Sequence, residues 1–378
     1  MLSFERHGAV AVVTLDNPPV NALSQAVLRE LFAMAERLDA DDAVSAVVLA
    51  CAGRTFIAGA DVTEFGKPPA RPHLPDVIHR IEASDKPWVA AIHGSALGGG
   101  MEVALGCAAR VAVASASLGF PEVTLGIVPG AGGTTRTPRL VGVDNAVALV
   151  TTGKPVKAPA AKAMGLIDAV IEGDLIEGAV AYALRIAGKP SPIPIQQRAV
   201  TSMLDSYWAE KHEALAKSAR GEIAPLRALD CVRKATETDF DTASVFERDT
   251  FLDLKGGVQA AALRAVFFAE RAALRPPELK DVVPRALKAI GVIGGGTMGA
   301  GIAAAALDAG LKVTLIERDA EALAKGEAHL KAIVEAAAER GKLAADAAAQ
   351  RLAGVAASTD YAALADVDAQ ARSLLSAT

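Results

Sequence analysis

Short apolar runs separated by amphipathic stretches set the rhythm of the first 190 residues. "AVAVVTL", "SAVVLAC", "PWVAAIHG" and "RVAVAS" are rich in β-branched residues and bounded by Gly, Pro, Asp or Asn, so each predicts a buried strand. Helical periodicity lies between them, over Gln25 to Leu38 and Met101 to Ala109. Such alternation predicts an α/β fold. From about Pro190 the strand pattern stops and helical stretches follow, including Ser202 to Ala219 and Gln259 to Leu274. "RPPELKDVVPRALK" then reads as a linker, and a new strand–glycine–helix pattern starts at Ala289.

A chain of 378 residues has room for two or three domains, and 52% hydrophobic with 22% charged residues is a globular composition. A net charge of −5 argues against nucleic acid as a partner. Cys51, Cys107 and Cys231 are far apart and form no CxxC pair, which predicts neither a disulfide framework nor a metal site. No apolar run spans a bilayer, and Glu5 and Arg6 precede a first strand rather than a signal peptide. A protein without membrane insertion is expected.

Chemistry concentrates around glycine. "LGGGMEVAL" places three glycines before a helix whose first turn carries Glu102. Gly99 and Glu102 lie three apart, so a free N–H at the helix start and a carboxylate share one side. "LGFPEVTLGIVPGAGGTTRTPRLVG" brings a second acid, Glu122, ahead of the cluster Gly130 to Gly133. In "GRTFIAGADVTEF" a strand is expected to end at "AGAD", with Gly59 turning the chain and Ala60 presenting its N–H. Two acids beside donor amides suit adding water to, or moving a proton next to, an activated carbonyl. Structural turns and a Glu102 that merely caps its helix fit each piece equally well.

Taken together, "NPPVNAL", "FIAGAD", "HGSALGGGMEVAL" and "FPEVTLGIVPGAGGT" resemble the crotonase (enoyl-CoA hydratase/isomerase) family over residues 5 to 255. The resemblance implies a crotonase-like ββα spiral with a helical C-terminal part. It implies an oxyanion hole at the Ala60 and Gly99 amides, catalytic acids Glu102 and Glu122, and a water-positioning amide at Gly130. An acyl-CoA thioester would lie along Ala22, Ala58 and Val62, mostly on main-chain groups. Hydration of trans-2-enoyl-CoA is the implied reaction, with 3-enoyl to 2-enoyl isomerisation as an addition, and it needs no cofactor.

"IGVIGGGTMGAGIAAAALDAGLKVTLIERD" reads as strand, Gly294-x-Gly296-x-x-Gly299, helix, strand and acid, which in this context predicts a Rossmann unit binding NAD. Glu317 would take the ribose hydroxyls and the helix start the pyrophosphate. The segment resembles 3-hydroxyacyl-CoA dehydrogenases, and the whole order resembles multifunctional β-oxidation enzymes. That implies a bacterial cytoplasmic or peroxisomal setting, and a monomer or an assembly with a thiolase subunit. After "YAALADVD" the expected third apolar strand is replaced by "AQARSLLSAT", so an incomplete, truncated Rossmann unit without dehydrogenase activity is expected. The predicted parts are a spiral core over 1–190, its helical completion over 191–258, a linker helix and linker over 259–285, and the partial NAD-binding unit over 286–378. His73, His79 and Arg54 read as surface groups, His93 as a structural histidine, Trp88 and Trp208 as packing, and Asp61 as a turn or capping group.

Overall fold

A computed structural model describes residues 1–372 apart from positions 65, 67, 69, 190, 191, 275, 281, 341 and 342. Positions between the helices Gln25–Asp39 and Leu74–Glu82 and in the 275–288 linker therefore lie outside the described residues, as do positions 373–378. The chain forms two compact units, one running to Pro276 and one starting at Pro277.

In the first unit, β1 (Leu2–His7), β2 (Val10–Leu15), α1 (Gln25–Asp39) and β3 (Ala46–Cys51) come first. After α2 (Leu74–Glu82) the chain twice makes a strand of the large sheet followed by one of a small sheet. These are β4 (Trp88–Ile92) with β5 (Ser95–Leu97), and β6 (Ala109–Val113) with β7 (Ser117–Gly119). α3 (Gly99–Gly106) closes the first repeat, and a 3-10 turn, Pro121–Leu125, closes the second. Next come α4 (Gly133–Val141), α5 (Val143–Thr152), β8 (Val156–Lys157), α6 (Ala158–Ala163), β9 (Ala169–Ile171) and α7 (Leu175–Ile186). Four helices follow: α8 (Asp205–Ala219), α9 (Ala224–Glu237), α10 (Phe240–Gly256) and α11 (Val258–Leu274).

The large sheet has the order β1-β2-β3-β4-β6-β9 and is parallel except for the β1–β2 hairpin. The small sheet has the order β5-β7-β8. Both faces of the large sheet are covered, which explains its nearly unbroken apolar strands. Ala11, Val13 and Leu15 face the main core, whereas Val10 and Val12 face Ala179 and Ala183 of α7. α3 is buried along its whole length, so its sequence carries no polar stripe.

Two expectations change here. Glu5 and Arg6 sit inside a strand of their own, β1, paired antiparallel to β2. "FIAGAD" does not end a strand; Ala60 makes only an isolated parallel bridge to Leu23.

The second unit holds β10 (Ala289–Ile293), α12 (Thr297–Asp308), β11 (Lys312–Ile316), α13 (Ala320–Glu339), α14 (Ala345–Leu352), β12 (Val355–Ser358) and β13 (Ala369–Arg372). All four strands are parallel, in the order β12-β11-β10-β13. This corrects the expected absence of a third strand. "AQAR" after "YAALADVD" forms that strand, β13, beside β10, and β12 is a further strand beside β11. The polar Gln370 and Arg372 conceal β13 in an apolar-pattern search.

Candidate active site

Gly98 and Gly100 of the "GGG" run each have a separate steric reason. Gly98 has φ +53° and ψ −125°, a conformation closed to other residues, and it caps α3. A Cβ there would also sit 2.7 Å from Glu122 Oε1. At Gly100 a Cβ would meet the Ile57 carbonyl oxygen at 2.2 Å, so α3 packs directly on the 56–60 backbone. A Cβ on Gly99 would lie 3.5 Å from the Ala60 nitrogen. The two amides are therefore neighbours. Among the described residues neither N–H has a backbone partner; Leu23 instead pairs with Gly59 and Asp61 on either side of Ala60.

The Leu23 segment is itself fixed by Asn21, a buried residue at φ +53°. Its side-chain amide donates to the carbonyls of Ala52 (2.9 Å) and Thr55 (2.8 Å), and its oxygen accepts the Asn17 N–H. Ala22, Ala58 and Val62 flank this bridge and are all half-buried. The Ala58 N–H donates to Val20, and Val62 opens a 3-10 turn that Asp61 caps through the Thr63 N–H.

Glu102 projects from the first turn of α3 and is 3% exposed. Its Oε1 accepts the N–H groups of Ala131 (2.7 Å) and Gly133 (3.0 Å). Glu122, 9% exposed, lies on the 3-10 turn with Oε1 against Gly98. Its Oε2 is buried without a hydrogen-bond partner among the described residues. Burial pushes both carboxyls above their ordinary value. The two amides on Glu102 oppose the effect there, whereas the Glu102 charge adds to it at Glu122. Glu122 is thus the stronger candidate to hold a proton, and Glu102 to lack one. Gly130 precedes the amides that Glu102 binds, with the Phe251 ring packed over its Cα.

A third acid, Glu247 of α10, was not among the sequence candidates. It is 1% exposed and accepts the N–H groups of Gly132 (2.5 Å), Thr134 (2.7 Å) and Thr135 (3.2 Å), as well as the Thr134 hydroxyl. Burial, reinforced by the Glu102 charge, raises it to about 7. Nothing local in "FERDTF" marks it, because its partners lie more than 110 residues earlier. Arg136, also unanticipated, is buried against Glu82 at 2.6 Å and donates to the Ala131 carbonyl at 3.3 Å.

The remaining residues take structural places. His93 pairs its ring with the Gly53 carbonyl at 3.1 Å, and Trp88 and Trp208 are buried in the core. Arg54 and His79 are exposed, and His73 caps α2. Among the described residues no group of His, Cys, Asp and Glu could hold a metal, and no helix is long and apolar enough to cross a membrane.

In the second unit, Gly294 has φ +97°, and a Cβ on Gly299 would fall 1.6 Å from the Gly294 carbonyl oxygen. The space beside Gly296, which caps α12, is open. Glu317 accepts the Gly295 N–H at 2.7 Å at the end of β11. This cradle of close backbone, open helix start and acid fits a dinucleotide.

A ββα spiral with an amide pair and two unequal buried acids at its centre defines the crotonase class of α/β proteins. Residues 5–221 match the family described as enoyl-CoA hydratase/isomerase, and residues 289–371 match the 3-hydroxyacyl-CoA dehydrogenase NAD-binding domain. The chain belongs to the enoyl-CoA hydratase/isomerase family. It is 39% identical over 344 residues to a peroxisomal bifunctional enzyme of Danio rerio, covering 88% of this chain and 47% of that one. With a peroxisomal fatty acid beta-oxidation multifunctional protein of Oryza sativa it shares 37% identity over 379 residues, covering 95% and 52%. It thus spans about half the length of these relatives. A solved enoyl-CoA hydratase/isomerase from Pseudoalteromonas atlantica shares the fold, at TM-score 0.53 and 24% identity, covering 71% of this chain and 97% of that one.

Proposed function

We propose that the first unit hydrates trans-2-enoyl-CoA to 3-hydroxyacyl-CoA. The observation that carries this is the pair of buried carboxylates in unequal surroundings, adjoining two neighbouring amides. The thioester oxygen accepts the Ala60 and Gly99 N–H groups. Glu102 and Glu122 hold one water, with Gly130 N–H as a further donor to it. As the water oxygen bonds to C3, its proton passes to Glu102. The double-bond electron pair moves toward the thioester oxygen, and Glu122 delivers a proton to C2. Proton exchange through the next water restores the acids. The amides meet charge that develops only in the transition state, and losing one such donor costs about 100- to 1000-fold in rate. Both acids are present, which favours hydration over isomerisation alone; Glu122 acting by itself would serve the isomerisation.

The CoA lies along the half-buried Ala22, Ala58 and Val62. Residues 1–190 act as the catalytic spiral and 191–258 as its helical completion. The relatives' names support fatty-acid β-oxidation as the setting and, of the two compartments expected, the peroxisome.

In the second unit Gly294, Gly296, Gly299 and Glu317 would hold NAD, whose nicotinamide accepts a hydride when bound. Oxidising a hydroxyl carbon also needs a base for its proton. The one histidine of this unit, His329, is exposed on α13. The chain by itself is therefore expected to hydrate without oxidising the product.

The test is crotonyl-CoA hydration by the pure chain, read as loss of the enoyl thioester absorbance, followed by NAD. Glu102→Gln and Glu122→Gln should each abolish hydration in a folded protein. Activity surviving both changes, or NADH formed by the chain, would contradict the reading.

A further inference from the structure

Five successive residues, Ala131 to Thr135, donate to two buried acids, the first four in alternation. The N–H groups of Ala131 and Gly133 go to Glu102, and those of Gly132 and Thr134 go to Glu247, which also takes the Thr135 N–H. The segment enters α4, so these amides have no intrahelical partners. Glu247 also takes the Thr134 hydroxyl, and its neighbour Arg248 donates to the Gly130 carbonyl at 3.4 Å. α10 thus grips the segment from the side opposite α3.

We infer that Glu247 is a positioning residue for hydration, fixing the donor segment that orients Glu102. This rests on the hydratase reading above. Glu247 touches no substrate; it acts through the backbone. Without its carboxylate, Gly132 and Thr134 would carry unpaired buried N–H groups, and the segment would rotate to find partners. That rotation withdraws the donors from Glu102.

Arg136 of α4 and Arg248 of α10 act on Glu102, while Glu102 and Glu247 both raise Glu122. Cys231 of α9, pushed up to about 12 by burial, stays neutral. Glu247→Gln removes a charge and places an amide donor where donors already point. Removing that charge lowers the Glu122 pKa, so the limb on which protonated Glu122 is lost moves to lower pH. A purely structural residue would leave that limb in place.

The experiment measures crotonyl-CoA hydration by the full chain and its Glu247→Gln variant across pH. Carboxyl carbon NMR of Glu102 and Glu122 is recorded in parallel. The expected result is a kcat about 10- to 100-fold lower with KM within about threefold, and a downward shift of the Glu122 titration. If the wild-type chain hydrates nothing, the hydratase reading fails, and the NMR titration still decides the role of Glu247. A folded variant with kcat within twofold of wild type, or an unmoved Glu122 titration, overturns the inference. Should Glu247→Gln fail to fold, Thr134→Val removes one donor to Glu247 and should cost about 3- to 10-fold in kcat. An unchanged kcat there overturns it equally.

Discussion

Replacing Gly98 by alanine tests whether the helix cap also serves as the backstop for Glu122. The added Cβ would lie 2.7 Å from Glu122 Oε1, whereas an ordinary contact begins at 3.4 Å. The carboxylate, packed between the 3-10 turn and α3, must therefore retreat by 0.7 Å, the difference of those two values. A misplacement approaching 1 Å at a reacting group can cost on the order of 100-fold. Alanine at φ +53° and ψ −125° adds strain of about 1–3 kcal/mol. That is a fraction of the roughly 5–15 kcal/mol that holds a domain together, so the variant should fold. Steady-state hydration of crotonyl-CoA should show kcat about 10- to 100-fold lower with KM within about threefold. Thermal unfolding in the same buffer should fall by several degrees. A folded Gly98→Ala protein with wild-type kcat would refute the reasoning, because it would mean that Glu122 works without its seat against Gly98.

Other outcomes follow from the buried charges and the second unit. Burial raises the Glu247 carboxyl to about 7, so protonation favours the folded state. Its stabilising contribution is full below about pH 4.5 and is lost as pH rises toward 7. The melting temperature of wild type relative to Glu247→Gln should decline across that window, and a flat difference would count against the buried assignment. Glu82→Ala leaves Arg136 buried without its carboxylate and should cost about 3–5 kcal/mol in a urea titration; a loss under about 1 kcal/mol would show the pair to be hydrated. Gly299→Ala drives a Cβ into the Gly294 carbonyl and should abolish NAD binding by titration calorimetry while hydration persists. Retained binding would displace the cradle from this loop.

Much of the first unit is legible because its determinants are local. α1 ends within one residue of its expected boundary, whereas α3 runs Gly99–Gly106 rather than Met101 to Ala109, because Ala109 already belongs to β6. Ala60, Gly99, Glu102 and Glu122 stand in motifs several of whose glycines, such as Gly98 and Gly100, answer a nearby steric demand. Glu247 is invisible at that range, since it reaches the site only because α10 folds back over the start of α4. The strand β13 is missed for another reason: parallel pairing with β10 uses backbone groups, which Gln370 supplies as well as valine would. β5, β7 and β8 are two or three residues long, too short for any periodicity to register.

All the donors proposed for this chemistry are main-chain N–H groups: Ala60, Gly99, Gly130, Ala131 and Gly133. No side-chain replacement short of proline can delete them. Over evolutionary drift such a site tolerates turnover of its lining, provided the path of the backbone survives. Saturation mutagenesis should therefore show a sparse pattern of intolerance. Proline should be lethal at Ala131, any side chain at Gly98 or Gly100 disruptive, and the acids irreplaceable, while many neighbours vary freely and retune which acyl group fits.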